Sequence, residues 1–332
     1  MEHSDIYLSF IIPCYNVAEY LGKTIESLEQ LVDAEDVEFL FVDDGSKDNT
    51  LQIIKDFEAS DKRVKCISQS NQGVSAARNN ALALAEGRYV FLLDGDDFLN
   101  ADTVQVIRSK MNDADMLIPN TIISRPTRTY TWRNNIPCGC YTVDSLFAKC
   151  MFFPTNSNLV YRTSTIKEHA LSFNPLLKSG EVYDFTVSYL QYVNSIVVID
   201  DAFYNYVMRE SSAIHRPNFS ADKSVLLLLS HFVEIDTNRC PWATTGSFSV
   251  TAFRLVVAFT YLKYVHQKLT SPEAVSTVQE ILSDNNFKTL MKKVAYGPNK
   301  LLKERIIAIY MHLMPQKLGF KLMAKLSKYL KN

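Results

Sequence analysis

Between Tyr7 and Pro119 the sequence alternates short apolar, β-branched runs with stretches of helical period, and this alternation restricts the possible folds more than any other feature. Residues 7–12 stop at Pro13 and precede residues 18–31, where Leu21, Ile25 and Leu28 fall on one helical face. The same pairing recurs as 37–42 with 49–59, 64–68 with 74–85, and 89–93 with 102–111; residues 115–119 read as a further strand. The pattern therefore predicts an open, doubly wound α/β sheet, Rossmann-like and mostly parallel, flanked by helices. Ligands of such sheets bind at the carboxyl ends of the strands.

Beyond residue 120 the pattern changes. Residues 124–139 lack periodicity, carry Pro126, Pro137 and several arginines, and read as a connecting loop. Residues 142–152 and 180–193 read as helices and 195–199 as a short strand; from about residue 220 the chain is all-helical. The expected organisation is an α/β half over 1–120, a second half over 121–219 and a helical C-terminal region over 220–332.

Charge is unevenly placed. Of 35 Lys and Arg and 36 Asp and Glu, residues 288–331 hold eleven bases and one acid, leaving 24 bases and 35 acids before them. Within that tail, residues 316–330 put Lys317, Lys321, Lys325 and Lys328 on one helical face and Leu318, Leu322 and Leu326 on another. Such a helix suits an anionic membrane surface, or docks on its own protein with the lysine face in solvent. No nucleic-acid module is recognisable, so no nucleic-acid partner is expected. The apolar segment 247–265 is interrupted by Arg254 and Lys263, which favours a buried bundle helix over a membrane span. The six cysteines are scattered, and the N-terminus lacks the basic flank of an export signal. These features predict free thiols and a cytoplasmic protein, peripheral on the inner face of the cell membrane if the tail binds lipid.

The chemistry concentrates after the strands. Residues 89–93 end in Asp94-Gly95-Asp96-Asp97, three carboxylates in four positions, a crowding that calls for a hard divalent cation or a cationic ligand. Together with Phe10-Ile11-Ile12-Pro13-Cys14-Tyr15-Asn16, Val42-Asp43-Asp44-Gly45-Ser46-Lys47-Asp48-Asn49-Thr50 and Asn71-Gln72-Gly73-Val74-Ser75-Ala76-Ala77-Arg78-Asn79, this stretch resembles glycosyltransferase family 2, of the GT-A fold. The resemblance runs over roughly residues 8–215.

It implies an inverting transfer from a nucleotide-sugar donor, most simply a uridine diphosphate sugar, to a hydroxyl of a glycan or lipid-linked acceptor in cell-surface polysaccharide synthesis. On the donor side it implies Asp43 and Asp44 at the base, with Pro13 and Tyr15 as the other wall, and Arg78 and Arg209 near the diphosphate. Asp94 would lie by the ribose. Mn²⁺ or Mg²⁺ would be held by Asp96 directly, with Asp97 supporting and His215 completing the site. On the acceptor side the family's usual Gly-Glu-Asp reads Gly180-Glu181-Val182 here. The base that deprotonates the acceptor is then Glu181, or Asp184 three positions on along the same helix face. Loss of the base is the alternative, which would leave a non-catalytic nucleotide-sugar or glycan binder. A nucleotidyltransferase is disfavoured, because no glycine-rich phosphate loop with its lysine follows the first strand.

Overall fold

The computed structural model describes residues 6–125, 127–134, 136–149, 157–208, 223–235 and 280–296, with positions 252 and 276. In chain order the elements are β1 (Leu8–Cys14), α1 (Ala18–Glu29), β2 (Val37–Asp43), α2 (Thr50–Ser60), β3 (Val64–Ser68), α3 (Val74–Leu84), β4 (Tyr89–Leu92), β5 (Phe98–Leu99), α4 (Thr103–Met111), β6 (Met116–Arg125), β7 (Arg128–Trp132), β8 (Gly139–Tyr141), α5 (Val143–Lys149), β9 (Val160–Arg162), α6 (Thr163–Glu168), α7 (Glu181–Leu190), β10 (Ile196–Val207), α8 (Lys223–Glu234) and α9 (Asn285–Tyr296). Contact density divides the chain into two compact units. The first comprises 1–143, 154–175 and 181–212; the second comprises 144–153, 176–180 and 213–332.

The first unit is built on one mixed sheet ordered β3-β2-β1-β4-β9-β6-β10-β5, with β7 added to β6 and β8 to β10. Its first four strands are parallel, as the alternation predicts. Phe10, Phe39 and Phe91 lie in register across β2, β1 and β4 and are buried, their rings 5.3 and 5.5 Å apart from centre to centre. Burial of rings this size is the largest single source of stabilisation in such a core, about 1.5–3 kcal/mol for each side chain. Two polar residues are also enclosed. Ser9 donates to Glu38 Oε1 at 2.7 Å and accepts from the Gly87 N–H, while Glu38 also accepts from the Glu86 N–H and Lys65. Burial pushes the Glu38 carboxyl up, but these bonds outweigh it and hold the group below its ordinary value. The network ties the turn before β4 to the amino ends of β1 and β2.

The second half of this sheet departs from the sequence expectation. Residues 124–139 are only partly loop: β6 runs on to Arg125, and β7 folds back on it antiparallel over Arg128–Trp132, with Arg125 opposite Arg128 and Thr121 opposite Trp132. Both faces of β7 are largely exposed, so the inside-outside alternation that marks a strand is missing. The strand expected over 195–199 continues to Val207. It pairs with β6 through register shifts between Val198 and Tyr204, which let one strand lie along the sheet and then turn toward β5.

In the second unit, α8 buries Leu228, Leu229 and Phe232, and α9 buries Phe287, Leu290, Met291 and Val294. No helix among the described residues is long and apolar enough to cross a membrane. The segment 247–265, apart from Ala252, and the basic tail 316–330 lie outside the described residues. The four described cysteines are free.

Candidate active site

The carboxyl ends of β1 to β4 carry four loops that lie against one another. After β1, Asn16 adopts a left-handed backbone (φ 51°), its N–H donates to Ser46 Oγ, and its Oδ1 accepts from the Lys47 N–H at 2.7 Å. Thr50 Oγ1 and Asp48 take the N–H groups of Val17 and Ala18. The loops after β1 and β2 are thereby one unit. Pro13 lies at the end of β1 opposite Val42, and Tyr15 is 47% exposed, a large apolar surface left to solvent beside that unit.

Asp43 and Asp44 are both buried, and their bonds differ. Asp43 accepts from the Ser46 N–H at 3.3 Å. Asp44 accepts from Gln69 Nε2 and the Gln72 N–H through Oδ1, and from the Gly73 N–H through Oδ2, each at 2.8 Å. Its carboxylate therefore shapes the loop between β3 and α3. Gly45 completes this corner: its φ is +73°, and a Cβ there would stand 2.8 Å from the Asn71 nitrogen.

The acidic turn after β4 is held from three sides. Thr24 of α1 shares its hydroxyl hydrogen between the carbonyls of Gly95 and Asp97, at 3.0 and 2.8 Å. A Cβ on Gly95 would meet Cys14 Sγ at 2.6 Å, so the turn closes directly on β1. Asp97 faces inward: Oδ2 accepts from the Tyr204 hydroxyl at 2.5 Å and Oδ1 from the Val207 N–H at 2.8 Å. Burial, and then the charge of Asp94, push the Asp97 carboxyl up to about 8, against the pull of these two bonds. Asp96 is half-buried.

Arg78 links this turn to the other half of the unit. Its guanidinium is 3% exposed and donates from Nη2 to Asp94 Oδ1 at 2.8 Å and from Nη1 to Glu181 Oε1 at 2.9 Å. Ser157 donates to the other Asp94 oxygen at 3.0 Å. Burial would lower the Arg78 pKa, but Asp94 and Glu181 outweigh it and raise it further. Arg78 Nε is buried with no hydrogen-bond partner. Next to it, Asn79 pairs with both backbone groups of Phe173, donating to its carbonyl at 2.8 Å and accepting from its N–H at 2.7 Å. Phe173 stacks on Phe185 with ring centres 4.2 Å apart, and the Arg78 guanidinium lies 5.4 Å from the Phe173 ring. Successive residues of α3 thus fix both the charge and the backbone of the segments around α7.

Glu181 is the first residue of α7. Val182, where the family pattern has an acid, is 5% exposed and packed inside, and Asp184 is buried in the same first turn. The structure therefore brings together Pro13, Tyr15, Asp43, Asp44, Arg78, Asp94, Asp96, Asp97, Glu181 and Asp184 in the first unit. Arg209 and His215 lie outside the described residues. Among the described residues, no three His, Cys, Asp or Glu side chains form a group able to hold a metal ion. Sequence reasoning missed Thr24, Ser157 and Tyr204. Thr24 alone left a signal, as a polar residue on the apolar face that carries Leu21 and Leu28.

The sequence profile described as Glycosyl transferase family 2 matches residues 9–169. Over 236 residues the chain is 30% identical to a chondroitin synthase of Escherichia coli, an alignment covering 68% of this chain and 31% of that protein. It spans less than two thirds of the length of the curated relatives it matches first. Among solved structures, residues 1–349 of Staphylococcus aureus TarS in complex with UDP-GlcNAc superpose with a TM-score of 0.75 at 20% identity, covering 98% of this chain and 92% of that one. A mannosyltransferase from Pyrobaculum calidifontis in complex with GDP-Man and Mn²⁺ gives 0.56 at 13% identity, covering 98% and 85%. At these identities the likeness is one of fold, and it matches the mixed, mostly parallel GT-A sheet. With the strand-end motifs and the profile in agreement, the chain belongs to glycosyl transferase family 2.

Proposed function

We propose that the chain is an inverting glycosyltransferase that moves a sugar from a uridine diphosphate donor to a hydroxyl of a glycan or lipid-linked acceptor in cell-surface polysaccharide synthesis. The observation that carries this reading is the buried Arg78, bonded at once to Asp94 of the turn after β4 and to Glu181 at the start of α7. One side chain couples a nucleotide-binding strand end to the carboxylate suited to act on an acceptor. A relative that is a chondroitin synthase and a neighbour in complex with UDP-GlcNAc support the reading, and the neighbour in complex with GDP-Man supports a nucleotide-sugar donor more generally.

On the donor side, Asp43 takes the base, with Pro13 and Tyr15 beside it, while Asp44 acts through the loop it organises. Asp94 serves the ribose. The unpartnered Arg78 Nε is a buried donor that a phosphate oxygen would satisfy, and a guanidinium holds phosphate bidentately. A diphosphate competing for Arg78 frees an oxygen of Glu181. Glu181 then accepts the proton of the acceptor hydroxyl as that oxygen attacks the anomeric carbon. Asp184, one turn along, is the second candidate base.

No all-protein cage for a cation exists among the described residues, so Mn²⁺ or Mg²⁺ would be held by Asp96 together with phosphate oxygens of the donor. Bound there, the ion would neutralise the departing diphosphate. Asp97 is reassigned from metal ligand to positioning residue, because both of its oxygens are engaged by Tyr204 and Val207. Arg209 and His215 keep their proposed roles at the diphosphate and the ion. Attachment to anionic membrane through the 316–330 helix remains part of the proposal.

A second reading, a nucleotide-sugar or glycan binder without turnover, is favoured by one observation: the position of the missing acid is filled by Val182 in the core. Incubation with a panel of UDP-sugars, Mn²⁺ and oligosaccharide acceptors separates the two. The enzyme reading predicts transferred product and released UDP. Tight UDP binding with no product or hydrolysis across the panel would establish the binder.

A further inference from the structure

The hairpin of β6 and β7 projects arginine and aromatic side chains on a single face. In the antiparallel ladder, Arg125 is opposite Arg128, Ile123 opposite Tyr130 and Thr121 opposite Trp132. Directly opposed residues and residues two apart share a face. Arg125, Arg128, Tyr130 and Trp132 therefore line up on one side. The Tyr130 ring has the Arg128 guanidinium 4.6 Å and the Arg125 guanidinium 5.9 Å from its centre. Trp132 is 38% exposed, and both arginines are exposed. Arg125 also donates to the Met208 sulfur, so among the described residues these cations rest on rings and sulfur instead of carboxylates.

Charge makes the face unusual for this protein. Residues 116–143 contain three arginines and no acid, in a chain whose first 287 residues carry an excess of acids. The location is equally specific. Val207 is the register partner of Ser124, and the Val207 N–H holds Asp97. The turn end of the hairpin, where Arg125 and Arg128 stand, is thus one strand spacing, about 4.8 Å, from the backbone that anchors the acidic turn. Among the described residues, β7 pairs with β6 alone.

We propose that this face docks an acidic glycan chain, a polymer of pyranose rings bearing carboxylates, and feeds it to the acidic turn as acceptor. Exposed Trp and Tyr rings suit the C–H faces of pyranoses, and paired guanidinium groups suit carboxylates. An open-chain polyol phosphate would meet the arginines but offer the rings nothing to stack on. A neutral glycan would use the rings and leave the arginines unmatched. The inference rests on the transferase reading above and adds the class of its acceptor.

The chain has two tryptophans, Trp132 and Trp242, so a Trp242→Phe variant reports on Trp132 alone. Titrating that protein with oligogalacturonate is expected to give a saturable change in fluorescence. Its fully methyl-esterified form, with the same rings and no charge, is expected to bind at least tenfold more weakly, as is inorganic polyphosphate, which has charge and no rings. Adding Arg128→Ala should weaken oligogalacturonate about tenfold. UDP binding, followed by calorimetry on the same proteins, should stay within twofold. Equal binding of the ester or of polyphosphate, no saturable change at millimolar ligand, or a parallel loss of UDP binding in Arg128→Ala would each overturn the proposal. If the parent protein fails to bind UDP at all, the donor-site reading falls instead, whatever the fluorescence shows.

Discussion

At the end of β2, Asp44 accepts three bonds, all from residues 69–73 of the next loop. At the end of β4, Asp97 accepts two, from Tyr204 and Val207 of β10, more than a hundred residues away in sequence. Both aspartates are buried, and both give their oxygens to the fold. The first closes a loop within the parallel half of the sheet. The second lets the far half of the sheet set the position of the acidic turn. Donor-base binding should therefore survive damage to β10, while the turn that carries Asp94 and Asp96 should not.

The most damaging change to this arrangement is Arg78→Ala, which removes a buried guanidinium and leaves the half-buried carboxylates of Asp94 and Glu181 without their common cation. Loss of one partner from a buried ionic network costs about 3–5 kcal/mol, so the variant should unfold at clearly lower urea and lose transfer activity. Next come two changes that separate the two loops. Gly45→Ala forces a Cβ against Asn71 at positive φ, and about 1–3 kcal/mol of strain should appear together with weaker UDP binding. Tyr204→Phe leaves a buried Asp97 oxygen unpartnered, at about 1–3 kcal/mol. It should weaken metal-dependent turnover more than it weakens the binding of uridine alone. Equal effects of the two variants on both readouts would erase the distinction.

The smallest effect is expected for Asp97→Asn, because an amide accepts from Val207 and keeps its bond with Tyr204. Sign follows from the raised pKa. The folded protein holds a proton on Asp97 that the unfolded chain has already released above about pH 4, so this site's stabilisation is greatest in acid and is lost as pH rises through about 8. Urea denaturation at pH 5 and pH 9 should show a smaller loss at pH 9 for the asparagine variant than for the parent. Were Asp97 a metal ligand instead, the variant would abolish metal-dependent turnover.

The two regions also differ in how far the sequence betrays them. β1, β2 and β4 are mostly apolar runs, and Asp43, Asp94 and Asp96 fall where the runs of β2 and β4 end. Local periodicity is enough to place them. Ser157 and Tyr204 reach Asp94 and Asp97 across 63 and 107 residues of chain, through pairings that no local period encodes. The β7 strand leaves little trace in the sequence because its Arg, Thr, Tyr and Trp side chains face solvent on both sides, which blurs the two-residue alternation. Asp97 is hard to tell apart for a related reason: in sequence it is one of three equivalent acids, and its bonds from the Tyr204 hydroxyl and the Val207 N–H come from a strand more than a hundred residues away.

The central claim is that Arg78 holds Glu181 in reserve as the base for an acceptor hydroxyl. Glu181→Gln, which keeps a hydrogen-bonding oxygen for Arg78 and removes the base, tests it most directly. The account predicts that kcat for sugar transfer falls about 10²–10⁴-fold while UDP affinity stays within threefold, and that Asp184→Asn changes kcat far less. Turnover by Glu181→Gln at the rate of the parent would contradict it.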